Sequence, residues 1–203
     1  ELFQKEIQIR QRSMGAEHPD TLTAKSNLGN VYYDQGRTLE AKQLHLETLN
    51  IRRRTLGREH IDTLASMTNL ANAYLVLGHS DEADRLYQQV FEYRLQSLGK
   101  EHPETLASMS NLAISCCCQG KYAEGQRILE QSLEIERRTL REEHPQTLTT
   151  MLNLASAYQV QNQPAKAEKM YRQILDVLIR TQSEDFPLTK NVRFNLESVA
   201  MGN

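Results

Sequence analysis

The chain of 203 residues carries 24 Lys+Arg against 26 Asp+Glu, a formal net charge of -2, so it has no basic field to draw nucleic acid. No apolar run approaches the roughly 20 residues that span a bilayer, and residues 1–10 lack the apolar stretch of a secretory signal. The expectation is a soluble, cytoplasmic protein that engages neither nucleic acid nor membrane.

Residues 1–15 match the back half of a unit that then recurs every 42 residues, Leu2 aligning with Leu44, Ile7 with Leu49 and Gly15 with Gly57. The period is carried by His18, His60, His102 and His144, by Thr21, Thr63, Thr105, Thr147 and Thr189, and by an Asn-Leu pair beginning at 27, 69, 111, 153 and 195. A fixed period of this size signals stacked supersecondary units. Four full repeats are expected at 17–58, 59–100, 101–142 and 143–184, with a second helix of a truncated repeat before them and a degenerate first helix at 185–203. The chain is therefore expected to be part of a longer one.

Within each repeat the first helix starts at Pro19, Ile61, Pro103 or Pro145, followed by Asp20, Asp62, Glu104 or Gln146, residues suited to a helix N-terminus. It ends near Gly36, Gly78, Gly120 or Asn162, which tolerate a left-handed cap. The second helix runs to Leu56, Leu98 or Leu140. Small residues mark close helix approach: Gly29, Ala71, Ala113 and Ala155 in first helices, Ala41, Ala83, Gly125 and Ala167 in second ones. Tyr32, Tyr74 and Tyr158, with Cys116 in their place in the third repeat, are expected in the core. The consecutive Cys116, Cys117 and Cys118 cannot form a disulfide framework or converge on a metal, and are expected to pack in or beside that core.

Small, aromatic and small residues at these offsets, with "EHPDTL", "NLGNVYYDQGR", "EA" and "RRRTLG", resemble the tetratricopeptide repeat in its 42-residue form, as in kinesin light chains and nephrocystin. The resemblance covers essentially the whole chain. It implies an all-α, right-handed superhelical solenoid of about ten helices in antiparallel pairs, and a scaffold that holds a protein or peptide ligand.

In such a solenoid the first helices line the ligand-facing side. Thr23, Asn27, Asn30 and Asp34 share one face of the first of them, at i, i+4, i+7 and i+11. The equivalent sets are Ala65, Asn69, Asn72 and Val76, then Ala107, Asn111, Ile114 and Cys118, then Thr149, Asn153, Ser156 and Val160. An asparagine amide donates to a peptide carbonyl and accepts from a peptide N–H at once, so a row of them can hold an extended main chain. The resemblance supports peptide contact by Asn27, Asn69, Asn111, Asn153 and Asn195; Asn30 and Asn72 join them on the face. A recurrent asparagine that ties adjacent repeats together is the competing role. Kinesin light chains surround it with lysine and arginine, whereas here the face is mostly Thr, Ser, Asn and apolar.

The periodic histidines stand a repeat apart, too far to share a metal, and are expected at helix starts. Arg52, Arg53, Arg54, Arg137 and Arg138, interspersed with Glu47, Glu134 and Glu136, are expected on a solvated second-helix face. No phosphate loop, nucleophile elbow or zinc-protease helix is present, so neither an enzyme, a cofactor nor a metal site is expected. Besides a peptide-binding adaptor, the pattern fits a regulatory sensor array of a larger signalling ATPase, or a structural self-associating scaffold.

Overall fold

A computed structural model describes residues 2–182 and 186–201. Among them are ten α-helices: α1 (Leu2–Met14), α2 (Pro19–Asp34), α3 (Thr38–Thr55), α4 (Ile61–Val76), α5 (Ser80–Leu98), α6 (Pro103–Cys118), α7 (Tyr122–Thr139), α8 (Pro145–Val160), α9 (Pro164–Thr181) and α10 (Pro187–Met201). The described residues contain no strand, and no helix among them is long and apolar enough to cross a membrane. The all-α architecture of paired helices is the one the period predicts. The expected boundary between the fourth repeat and the terminal helix, at 184/185, lies outside the described residues.

The periodic residues recur because each closes the same local structure. His18, His60, His102 and His144 are N-caps with extended backbone, and the ring Nδ1 accepts from the N–H two residues on at 3.2–3.3 Å. That bond satisfies one of the donors a helix start leaves open. The threonine three residues after the histidine makes a second closure in three of the four repeats, the exception being Thr105, whose buried hydroxyl has no partner. Thr21, Thr63 and Thr147 donate to the carbonyls of Gly15, Gly57 and Arg141, six residues earlier, at 2.8–2.9 Å. The hydroxyl thus ties the end of one repeat to the start of the next.

Arg141 stands in that series where Gly15, Gly57 and Gly99 stand in the others, and it adopts the same left-handed backbone at φ 76°. A side chain there costs roughly 1 kcal/mol relative to glycine. Arg141→Gly is expected to raise stability by about 0.5–1 kcal/mol, read as a higher urea midpoint at unchanged slope.

The chain forms two compact units, residues 1–93 and 94–203. In the first, α2 packs on α1 and α3, and α3 on α4. Its apolar interior includes Leu28, Tyr32 and Ala41 in one cluster and Leu49, Met67, Leu70 and Val90 in another. In the second, α6 packs on α7, α7 on α8, α8 on α9 and α9 on α10, around Leu129, Met151, Leu154, Tyr171, Ile174 and Leu178. The small positions mark close approach as expected, and Gly29 shows why: a Cβ there would lie 2.6 Å from Cε1 of the buried His45 ring.

The expectation of a wholly solvated second-helix face is corrected. Arg52 and Glu136 are 4% and 0% exposed, and Arg94, in the same 42-residue register, 9%. Arg52 Nη1 donates to the Asp62 carbonyl at 3.1 Å and to Ser66 Oγ at 2.9 Å, while Nη2 donates to Thr23 Oγ1 at 3.2 Å. Arg94 repeats the bonds with the Glu104 carbonyl and Ser108, and also pairs with the Glu104 carboxylate. Glu136 reverses the polarity: its Oε1 accepts from Ser132, Gln146 and Thr150 at 3.1–3.3 Å. These side chains fasten a second helix to the first helix of the following repeat. A long polar side chain can reach inward from a position that charge alone would assign to solvent.

Candidate functional site

The first-helix face follows from helix geometry, since residues four and seven apart share a side. All sixteen positions named for it are exposed or half-buried. In the first unit α2 and α4 pack side by side, presenting the exposed Asn27 and Asn30 and the half-buried Asn69 and Asn72. Asn69 Nδ2 reaches Ser26 Oγ on the preceding first helix at 3.5 Å, a weak bond at that length. Asn72 Oδ1 accepts from the Tyr87 hydroxyl, so that amide is engaged within the fold. Asn195, on α10, donates to Asn191 at 3.0 Å.

In the second unit α6 and α8 lie side by side, with Asn111 and Asn153 half-buried. Asn153 borders an apolar pocket of about 240 Å³, walled by Ile114, Cys117, Cys118, Tyr122 and Val160. Helical spacing places Asn153, Ile114, Cys118 and Val160 on one surface, as found. Of the three cysteines expected in or beside the core, Cys116 is buried and the half-buried Cys117 packs against the core, whereas Cys118 departs from the expectation and is exposed. The sequence holds a signal for this, because Cys118 shares its register with Asp34 and Val76, both exposed.

The chemistry of this pocket is that of contact. Burial, with a smaller contribution from neighbouring Cys118, pushes the Cys117 thiol up, which disfavours the nucleophilic thiolate. Behind it, burial and then the Glu130 carboxylate, which accepts the Tyr158 hydroxyl at 2.9 Å, push the Tyr158 phenol up to about 12. Among the described residues no group of three or more His, Cys, Asp or Glu converges as a metal set.

A family profile described as tetratricopeptide repeat matches residues 1–53, 20–96, 77–124 and 104–180. The chain belongs to the tetratricopeptide repeat family. Nearly identical TPR-like repeats from Podosopora anserina, named for kinesin light chain, are 34% identical over 89% of this chain and 85% of that one, with a TM-score of 0.74. BtubC (BKLC) from P. vanneervenii shares the fold at a TM-score of 0.77 and 18% identity, over 99% of this chain and 84% of its own. The apo form of RapI does so at a TM-score of 0.70 and 12% identity, over 89% of this chain and 63% of its own. No curated protein is significantly similar to the sequence. Tetratricopeptide repeats build protein–protein interaction scaffolds and are generally not enzymes, and this member has the kinesin light chain-like form of the repeat.

Proposed function

We propose that this tetratricopeptide chain is a peptide-binding adaptor module, whose first-helix face holds an extended or partly helical segment of a partner protein in the manner of a cargo adaptor. The observation that carries the reading is Asn153 at the edge of the apolar pocket formed with Ile114, Cys117, Cys118 and Val160. An amide that can pair with a peptide backbone stands next to a recess for an apolar side chain, the pairing that recognition of an extended segment requires. Asn111, half-buried on the adjacent α6, extends the same amide surface. In the first unit Asn27 and Asn30 are exposed, and they supply the corresponding contacts there. Asn69 and Asn72 share their amides with Ser26 and Tyr87, so they contribute less than a free amide would.

A partner segment selected from a random peptide display against this chain tests the reading. Asn111→Ala combined with Asn153→Ala is expected to weaken the selected peptide at least roughly tenfold in calorimetric titration, since each lost hydrogen bond removes about 0.5–1.5 kcal/mol. The thermal midpoint should stay within about 2 °C, because neither amide is fully buried. Undiminished affinity in the double variant would place the ligand elsewhere. Early unfolding would make these two amides structural.

A further inference from the structure

We propose that the groove between α3 and α5 in the first unit is a second docking site, which takes an acidic, leucine-bearing peptide segment through two of its carboxylates. The groove lies on the second-helix side, away from the asparagine face, and does not depend on the reading of that face. Its floor is apolar, made by Leu46, Leu49, Leu70 and Leu86. Arg53, Arg58 and Arg85 stand around it with Glu82 as the one carboxylate among the lining residues, and Glu82 already faces His79 at 3.8 Å. Neither Arg58 nor Arg85 has an ion pair among the described residues. Arg53 reaches only the Gln89 amide oxygen, at 3.5 Å, and its Nε is buried without a partner.

The repeat supplies an internal reference, because the second unit carries the equivalent positions 84 residues later, on α7, α8 and α9. There Arg137 replaces Arg53 and reaches Gln173 at 3.4 Å as Arg53 reaches Gln89. Arg137 is also paired with the Glu142 carboxylate at 3.0 Å, and Tyr158, the counterpart of Tyr74, donates to Glu130 at 2.9 Å. In the first unit the positions of Glu130 and Glu142 hold Leu46 and Arg58. Both internal carboxylates are therefore exchanged, one for a leucine and one for a third arginine, while the arginine and tyrosine they would serve remain. Two carboxylates delivered by a partner would restore the pairing that the second unit makes within itself, and guanidinium groups bind carboxylates with matched geometry. A leucine floor under the arginines favours an apolar peptide over a phosphate backbone, which asks for charge without an apolar bed.

The probes are a short fluorescein-labelled peptide of alternating leucine and glutamate and its leucine–glutamine counterpart, followed by fluorescence anisotropy on the whole chain. The glutamate peptide is expected to bind at least roughly tenfold more tightly than the glutamine one. Arg58→Glu and Leu46→Glu, each of which recreates a residue the second unit accommodates, should each cost roughly tenfold or more at an unchanged thermal midpoint. Asn27→Ala should leave binding as it is. Equal binding of the two peptides, native affinity in both groove variants, loss of binding in Asn27→Ala, or displacement by oligo-dT at concentrations below those of unlabelled peptide would each overturn the proposal.

Discussion

Arg52→Leu is expected to lower the stability of the chain by about 2–3 kcal/mol. The leucine leaves the Asp62 carbonyl, Ser66 Oγ and Thr23 Oγ1 without the guanidinium that bonds all three. Hydrogen bonds to a charged donor contribute about 1.5–3 kcal/mol, although the Asp62 carbonyl keeps the Ser66 hydroxyl at 3.0 Å and the exposed Thr23 can turn to water. Apolar gain from the leucine offsets part of that. The repeats also provide the compensating change. At the same register the chain has Leu178, fully buried, and the residue fourteen further on is the buried Val192, where Arg52 and Arg94 face Ser66 and Ser108. Arg52→Leu combined with Ser66→Val should therefore recover roughly half of the loss, a coupling that a double-mutant cycle in urea measures directly. Additive losses in the cycle would mean that the arginine acts by packing alone.

That register also shows what a sequence reading sees and what it passes over. The fold is legible because histidine, threonine and the Asn-Leu pair each keep one period, the histidine closing a cap in all four repeats and the threonine a junction in three of them. Arg10, Arg52 and Arg94 keep the same period, yet the "RRR" run around Arg52 hides it: a cluster of charge suggests solvent, and only the alignment separates the inward Arg52 from the exposed Arg54 beside it. Glu136 is harder still, since it breaks the register in sign while keeping it in burial. His45 lies in a series with Phe3, Tyr87, Leu129 and Tyr171, and that apolar company is a legible sign of a core position. The candidate face is legible as a set of solvent-facing positions. The pocket beside Asn153 is not, because it depends on how the α6 and α8 side chains leave a gap, and the period carries no information about gaps.

Acid is expected to loosen the first unit through His45 and to leave the second unit's buried carboxylate favoured, so the two should respond to pH in opposite directions. His45 is 1% exposed, its Nδ1 has no hydrogen-bond partner, and its ring fills the space that Gly29 leaves. Burial lowers its pKa from 6.5 to about 4. Below pH 6.5 the unfolded chain takes up a proton that the folded one refuses, so stability falls as the pH drops from about 6.5 to about 4 and is level beyond. That interval corresponds to about 3 kcal/mol. Glu136 runs the other way. Burial raises its pKa above 4.5, against the lowering by Thr150, Gln146, Ser132 and, more weakly, His144, and its Oε2 is buried without a partner. Its contribution is present below pH 4.5 and is lost as the pH rises through the folded value. Hydrogen exchange resolved by helix separates the two effects: between about pH 7 and about pH 4.5, amides of α2 and α3 should lose protection while those of α7 and α8 hold theirs relative to intrinsic exchange. His45→Leu, which installs the residue that Leu129 supplies at the same register, should flatten the first response, and Glu136→Gln the second. A first unit that softens in acid just as much after His45→Leu would show that the buried imidazole does not carry the response.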